Sequence, residues 1–260
     1  MQFEVDHNYG SGVHILHDPF LNSLLTQVSQ EHTRQPQLSQ LLEFLYLGLL
    51  QRVVNRELRT LEVQVATRMT AWHPEQLYQG EITDPQQTVV VVNLARAGTW
   101  PSAVCYHRLN YLLNPERIRQ DHIMAARQTA SNGAVTGAAL GASKIGGDVE
   151  GAVLLFPDPM GATGSTLKQA LDFYRLEVSG KPSKRIGLHL IVTPEYIARL
   201  KESNPDFLIY TLRVDRGLSS PRALAAKPGQ YWNEERGLNA QDYIVPGAGG
   251  LGELLNNSFV

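Results

Sequence analysis

Residues Ala152–Ala170, AVLLFPDPMGATGSTLKQA, decide the fold. This stretch opens with the apolar run Val153–Phe156, which is too short for a helix and predicts a buried strand of a parallel sheet. Pro159 ends that strand because proline cannot donate to a sheet ladder. Small residues and hydroxyl groups follow, and apolar residues recur at helical spacing from Leu167 onward. The stretch therefore predicts a strand, a loop and the N-terminus of a helix, in that order.

The loop of this stretch has the chemistry of an anion site. Gly161 and Gly164 let the backbone approach a ligand closely. The unpaired amides of a first helical turn, with the positive end of the helix dipole, would point at that ligand. Hydroxyl donors are also present, at Thr163, Ser165 and Thr166. Asp158 would repel a phosphate but suits the hydroxyls of an attached ribose, so the loop predicts a site for a 5′-phosphorylated ribose. An ordinary strand–turn–helix junction with a Thr or Ser cap fits the same spacing. The loop is not a Walker A motif, because no GK[ST] follows at the required spacing.

Composition limits the function classes. A chain of 260 residues, 43% of them hydrophobic, fits one large α/β domain with a sizeable core. A net charge of −2, spread along the chain, gives no electrostatic case for nucleic acid. The single cysteine, Cys105, excludes an internal disulfide and a cysteine-based metal cluster. We see no membrane-spanning stretch and no signal peptide pattern, and therefore expect a cytoplasmic enzyme without a membrane partner.

Strands and helices alternate along the rest of the chain. Thr88–Leu94 is apolar on both faces and predicts a central parallel strand. Two further strands are predicted at Arg185–Thr193 and Phe207–Val214. Leu38–Leu58 predicts a mostly buried helix. Glu57, near its end, is expected to form an exposed ion pair with a neighbouring arginine. The alternation predicts a Rossmann-like parallel sheet flanked by helices.

Two arginines are predicted at the carboxyl edge of this sheet, where open α/β folds bind ligands. Arg96 directly follows the central strand, and Arg127 ends a shorter predicted strand, Ile123–Arg127. A structural salt bridge is the alternative role for Arg96. Residues Gln128–Gly147, with Lys144, are rich in glycine and alanine and predict a mobile loop, which would be either a lid over substrate or an idle surface loop.

The C-terminal tail contains a misleading motif. Gly247–Gly252 satisfies GxGxxG, but a dinucleotide site needs a βαβ unit and an acid about 20 residues further on. The chain ends before such an acid, so we reject that site. Exposed amides and carbonyls after Tyr243–Pro246 would instead hydrogen-bond a flat heterocycle. A floppy tail is the alternative.

Several segments, in this order, resemble the uracil phosphoribosyltransferases. The most specific matches are Asp158-Pro159-Met160 with Ala162-Thr163-Gly164, and Tyr243–Gly247, YIVPG; Arg96-Ala97-Gly98 supports them. The resemblance implies an α/β type I phosphoribosyltransferase fold with an N-terminal arm and a small C-terminal hood. It also implies transfer of phosphoribosyl from phosphoribosyl pyrophosphate (PRPP) to uracil, giving UMP and pyrophosphate in pyrimidine salvage. Mg²⁺ would be bound mainly through PRPP or pyrophosphate, without protein metal ligands.

The resemblance implies a role for each matched residue. The catalytic residues would be Asp158, Arg96 and Arg127. PRPP would be bound by Arg96, Ala97, Gly98, Arg127, Asp158, Met160, Gly161, Ala162, Thr163, Gly164, Ser165 and Thr166. Uracil would be bound by Tyr243, Ile244, Val245, Pro246, Gly249, Gly250, Leu251 and Gly252.

A single domain would carry these sites. Residues 1–60 form its N-terminal arm and helices, 88–214 the core sheet with the PRPP loop, 219–236 an insertion, and 237–260 the base-binding tail. Buried apolar helices near the N-terminus also make a homodimer plausible.

Two positions depart from the family pattern. Gly250 stands where the family usually has an acid that helps to organise the PRPP and metal region, and Gly161 stands where it commonly has a bulkier residue. Nearby acids that would compensate for Gly250 are Asp215, Asp242 and Glu253. If the lost acid limits activity, Gly250→Asp should raise it. The alternatives are a non-catalytic relative that binds UMP or another nucleotide as a sensor or assembly partner, and a phosphoribosyltransferase for another base.

Overall fold

A computed structural model describes residues 4–129 and 135–258. Its centre is an eight-stranded sheet in the order β1 (Val13–Ile15), β10 (Leu208–Val214), β9 (Lys184–Val192), β7 (Val153–Pro157), β4 (Val89–Ala95), β5 (Ile118–Thr129) and β6 (Val135–Lys144), with β8 (Met160–Gly161) also paired to β9. The neighbours in this sheet are parallel except β5 and β6, which are antiparallel. The predicted parallel sheet is confirmed.

Helices cover both faces of the sheet. Their bounds are α1 Pro19–Val28, α2 Gln37–Glu57, α3 Thr99–Leu109, α4 Ser165–Glu177, α5 Pro194–Ser203, α6 Pro221–Ala225 and α7 Leu251–Asn256. Single 3₁₀ turns lie at Arg68–Ala71, Pro115–Arg117 and Trp232–Glu234, and β2 (Thr60–Val65) and β3 (Tyr78–Thr83) form a separate two-stranded sheet. None of the helices within the described residues is both long and apolar enough to cross a bilayer.

The central strand β4 explains why the core has two layers. Its side chains alternate between the faces of the sheet. Val89 and Val91 join a buried cluster with α1, α2 and α3, whereas Val90 and Val92 join a second cluster with α4 and α5. Both faces are therefore dry, which is why every residue of the strand except Asn93 is apolar.

The prediction of a mobile loop over Gln128–Gly147 is wrong, because most of this segment is β-strand. β5 continues to Thr129, and β6 returns antiparallel to it and ends at Lys144. Glycine and alanine have low strand propensity, so local sequence does not indicate the cross-strand pairing that forms here. Residues 130–134, at the tip of the predicted lid, lie outside the described residues. The prediction of a lid therefore stays a prediction.

A buried carboxylate anchors the base of this hairpin. Asp121, fully buried on β5, accepts hydrogen bonds from Arg119 Nε at 3.0 Å, the Gly146 amide at 2.9 Å and the Tyr174 hydroxyl at 2.8 Å. Each hydrogen bond that a buried carboxylate accepts lowers the free-energy cost of burying its charge. The hairpin is thereby tied to α4, whose N-terminus follows the loop between β7 and α4.

The N-terminal arm and the segment predicted to be an insertion pack on each other. The arm supplies the edge strand β1, and residues 219–236, predicted as an irregular loop, contain α6 and a 3₁₀ turn. Glu235 is buried between them, where it accepts hydrogen bonds from the Tyr9 hydroxyl, from Arg216 at 2.9 Å and from the Gly229 amide at 2.8 Å. Residues 219–236 therefore form a fixed cap with its own anchoring carboxylate.

The ion pair predicted between Glu57 and a neighbouring arginine forms, since Arg56 Nε lies 3.8 Å from Glu57 Oε1, but Glu57 is not exposed as expected. Its side chain is 9% exposed and accepts from Lys184 Nζ at 2.8 Å and from the Tyr210 hydroxyl at 2.5 Å. The helix end packs against β9 and β10, which sequence neighbours could not reveal. Glu57 thus serves to join α2 to the sheet.

Candidate functional site

The loop of residues 158–166 leaves β7 and enters α4 through a glycine. Gly164 is the residue before the helix and has φ +76°, a conformation that favours glycine. A Cβ there would lie 2.5 Å from Leu200 Cδ2. Gly164 supplies no side-chain cap, although Thr163 Oγ1 accepts from the Ser165 amide at 3.3 Å. The geometry is that of a helix N-terminus whose following amides face outward along the dipole.

The loop rests on the start of α5. The Thr193 amide donates to the Gly161 carbonyl at 3.0 Å, and Thr193 Oγ1 donates to the Ala162 carbonyl at 2.7 Å. A Cβ on Gly161 would lie 3.0 Å from the ring of Tyr196 and 2.8 Å from Val192 Cγ1. The departure from the family pattern at Gly161 therefore has a local cause. The space that a larger side chain at position 161 would need is already occupied by Tyr196.

A buried histidine fixes the first residue of the loop. His189 Nδ1 lies 2.6 Å from the Asp158 carbonyl oxygen, and His189 Nε2 lies 2.6 Å from the Tyr196 hydroxyl. A carbonyl only accepts, so Nδ1 carries the proton and Nε2 accepts from tyrosine. Burial lowers the pKa of His189 to about 4, so the ring is neutral at pH 7. Sequence analysis missed this residue; its only signal was one histidine inside the run Ile186–Val192, whose other residues are glycine or aliphatic.

The His189 ring makes stability depend on pH. Its pKa falls from 6.5 in the unfolded chain to about 4 in the folded one, so the unfolded chain binds a proton first as the pH drops. The stabilisation is complete above pH 6.5 and is lost progressively down to pH 4. We expect this residue to remove about 2 kcal/mol of the free energy of unfolding between pH 7 and pH 5.

Urea unfolding at both pH values measures that loss. His189→Gln keeps a donor and an acceptor but cannot titrate, so its free energy of unfolding should fall less than that of the wild type over the same interval. An equal fall in both proteins would contradict the buried neutral ring.

The segment Arg96–Gly98 lies beside the start of the 158–166 loop. A Cβ on Gly98 would lie 3.0 Å from the Pro157 carbonyl oxygen, so only glycine permits this approach. Arg96 follows β4 and is exposed, and its Nη1 donates to Ser258 Oγ at 2.6 Å. The carboxyl ends of β4 and β7 thus bring the predicted pyrophosphate segment and the predicted ribose carboxylate to one edge.

The other predicted basic residues lie on the β5–β6 hairpin. The Arg127 backbone pairs with Ala138, and its side chain lies outside the described residues. Lys144 is exposed at the end of β6 and pairs with His122. The predicted role of Arg127 stays a prediction.

The tail is held firmly, so the alternative of a floppy tail is wrong. It turns back on itself through a bridge between Leu238 and Ile244. Asp215 Oδ2 accepts from the Gly247 amide at 2.7 Å, and Arg213 Nε fixes the same carboxylate at 2.6 Å. Asp215 is therefore engaged in shaping the Val245–Gly247 turn, a role that sequence analysis did not assign.

The tail and the 158–166 loop pack against the same core cluster. Ile244 and Leu251 are buried in one core cluster, against which Met160 and Ala162 of the loop also pack. A Cβ on Gly252 would lie 3.4 Å from Ala97 Cβ, so the N-terminus of α7 meets the Arg96–Gly98 segment as well. Three predicted binding segments therefore converge at the carboxyl edge of the sheet.

A carboxylate occupies the place where a side chain at position 250 would lie. A Cβ on Gly250 would be 1.7 Å from Glu253 Oε2. Glu253, one turn into α7, curls back over the glycine. Asp215 and Glu253 are among the acids predicted to compensate for the absence of an acid at position 250. Asp215 is already hydrogen-bonded to the Gly247 amide, and the Glu253 carboxylate occupies the space beside Gly250.

Comparison with known proteins places the chain in a family. Residues 15–230 match the family model described as uracil phosphoribosyltransferase. A uracil phosphoribosyltransferase of Thermococcus sibiricus is 32% identical over 100 residues, which are 38% of this chain and 34% of that protein. One of Thermococcus gammatolerans is 35% identical over 102 residues, 38% of this chain and 35% of its own. The chain thus aligns with about a third of the length of these curated relatives.

The fold has a solved counterpart. The AQ2163 protein from Aquifex aeolicus superposes with a TM-score of 0.68 over 94% of this chain and 97% of its own, at 20% identity. At that identity the likeness concerns the fold alone. The family match covers most of the chain, and the α/β sheet agrees with it. The chain belongs to the uracil phosphoribosyltransferase family, a family of pentosyltransferases.

Proposed function

We propose that this protein transfers the phosphoribosyl group of PRPP to uracil and releases UMP and pyrophosphate. The observation that carries the proposal is the convergence of three segments: the 158–166 loop, Arg96–Gly98 and the tail around Ile244. Each has chemistry suited to a different part of the reactants. A helix N-terminus suits a phosphate, an arginine suits pyrophosphate, and exposed backbone groups suit the edge of a base.

The reaction needs positioning more than covalent chemistry. A nitrogen of the base forms a bond to C1 of the ribose, the bond from C1 to the pyrophosphate oxygen breaks, and the base nitrogen loses its proton. Positive charge develops on the ribose and negative charge on the leaving group. Catalysis follows from holding both reactants in line and from neutralising pyrophosphate.

The chain's own residues have distinct tasks in this scheme. Asp158 would hold the ribose hydroxyls, with its backbone fixed by His189. The amides and hydroxyls of Ala162–Thr166 would hold the 5′-phosphate. Arg96 and Arg127 would meet the pyrophosphate, and backbone groups from Tyr243 to Gly252 would meet uracil.

The residues present fit a magnesium ion that arrives with PRPP. Within the described residues, no group of three or more His, Cys, Asp or Glu side chains is placed to hold a metal. Mg²⁺ commonly binds through substrate phosphates, water and one or two carboxylates, and Asp158 and Glu253 are two of the carboxylates in the converging segments. When bound, the ion would neutralise charge on the pyrophosphate.

A turnover assay tests the proposal. Radiolabelled uracil, PRPP and MgCl₂ should yield UMP, and a panel of other bases in place of uracil should yield far less nucleotide. If another base but not uracil yields nucleotide, the tail and the neighbouring cap select that base instead of uracil. PRPP binding without any turnover would favour the nucleotide-binding relative.

Position 250 offers a specific prediction. Because Glu253 already places a carboxylate there, Gly250→Asp should not raise kcat/KM, contrary to what the family pattern alone indicates. Glu253→Gln should lower kcat/KM at least tenfold, about 1.4 kcal/mol of transition-state stabilisation. The double variant Gly250→Asp with Glu253→Gln should recover most of the loss.

Glu202→Gln, an exposed acid on α5, is the matched control and should behave as the wild type. A clear gain from Gly250→Asp alone would mean that the missing acid is not replaced in this protein.

We also propose a cytoplasmic homodimer. The separate β2–β3 sheet exposes apolar side chains, including Tyr78 at 52%, and Trp72 in the turn between its strands is 71% exposed. A two-stranded sheet on its own is marginally stable in water, and a second copy of the chain would cover it. Sedimentation velocity measures the oligomeric state directly.

A further inference from the structure

One face of α5 lies against the 158–166 loop. Tyr196 and Leu200, one turn apart, are the residues that a Cβ on Gly164 would meet, at 3.3 Å and 2.5 Å. Residues three positions apart are neighbours on a helix surface, so Arg199 lies beside Tyr196, at the exposed edge of this face. The Thr193 contacts with Gly161 and Ala162 hold the helix in place at its N-terminus.

Arg199 reaches the first residue of α4. Its Nη1 donates a hydrogen bond to Ser165 Oγ, and its side chain is otherwise on the exposed side of the helix. Thr163 Oγ1 lies 3.2 Å from the same serine oxygen. The guanidinium therefore stands at the hydroxyl cluster that the 5′-phosphate would occupy.

The charge at this point favours an added cation. Residues 158–166 contain no lysine or arginine and include an acid, Asp158. Lys168, the next basic residue along the chain, pairs with Asp172 at 2.6 Å. A phosphate monoester carries close to two negative charges at pH 7, and arginine binds it through charge-assisted hydrogen bonds.

We infer that Arg199 is a ligand of the 5′-phosphate, supplied by α5 and not by the loop itself. The inference rests on the proposed function and adds to it a binding residue outside the matched motifs. The guanidinium turns from Ser165 Oγ to the phosphate oxygens when substrate is present, and the serine hydroxyl, whose proton the arginine does not engage, donates to the same group.

Calorimetric titrations with ribose 5-phosphate and with magnesium pyrophosphate separate this role from a structural one. Ribose 5-phosphate carries the 5′-phosphate without the leaving group, and pyrophosphate is the leaving group alone. Arg199→Ala should weaken ribose 5-phosphate at least tenfold and leave the Kd of pyrophosphate within twofold of the wild type. Arg199→Lys, which keeps the charge, should restore part of the affinity.

Arg175→Ala is the matched control, because Arg175 lies on the exposed last turn of α4 and pairs with Asp172 at 2.8 Å. It should leave both affinities unchanged. Unchanged ribose 5-phosphate affinity in Arg199→Ala, or an equal loss for both ligands, would overturn the inference while the proposed function stands. Failure of the wild type to bind either ligand would overturn both.

Discussion

Arg96→Ala is expected to lower kcat/KM by about 10²–10³-fold, the loss that follows removal of one fixed group that stabilises developing charge. Arg96 leaves the end of β4 at the edge where β7 also ends. The leaving pyrophosphate gains negative charge as the bond to ribose breaks, so a fixed cation stabilises the transition state more than the bound substrate. The effect should therefore fall mainly on kcat.

The fold should survive this change. The Arg96 side chain is exposed, and substitutions at exposed positions usually alter the free energy of unfolding by less than about 0.5 kcal/mol. Arg108→Ala is the control, because Arg108 is a half-exposed arginine on the neighbouring helix α3 that pairs with Glu43. Steady-state kinetics with both variants, each checked by thermal unfolding, gives the comparison. A folded Arg96→Ala protein with an unchanged rate would remove Arg96 from the mechanism.

Asp158→Asn is expected to lower kcat/KM by about 10²-fold or more. A carboxylate that accepts from two ribose hydroxyls makes two charge-assisted hydrogen bonds, each of about 1.5–3 kcal/mol. Asparagine keeps the size of the side chain and can still accept from the Met160 amide, 3.3 Å from Asp158 Oδ1. The backbone bond from His189 is also kept, so the loss reports on the charge and not on the loop.

Asp206→Asn is the control for this second variant, since Asp206 is exposed on the turn before β10. The KM for PRPP should rise in Asp158→Asn and stay constant in Asp206→Asn. Equal kinetics in the two variants would show that the ribose hydroxyls are held by another group.

The strands that carry the site were readable from the sequence because their signals are local. β4 and β7 are apolar on both faces, which only a central parallel strand requires. Gly164 and the hydroxyl residues around it likewise indicated a turn into a helix from local sequence alone. Positive φ and exposed helix amides depend on only a few neighbouring residues.

The groups that support the site were not readable, because their partners lie far along the chain. His189 acts on Asp158 from the next strand of the sheet, 31 residues away, and Arg199 acts on Ser165 across 34 residues. Each is an ordinary residue of its own element until the fold brings it to the loop. The antiparallel strand β6 was missed for the same reason: pairing with β5 forms it, not local propensity.

Calorimetric titration of PRPP with MgCl₂ into the wild-type protein, with the UMP-formation assay run on the same sample, tests the central claim most directly. Saturable binding of one PRPP per chain, followed by UMP formation when uracil is added, is the predicted result. Absence of PRPP binding to the folded protein would contradict the assignment of the 158–166 loop, and with it the proposed function.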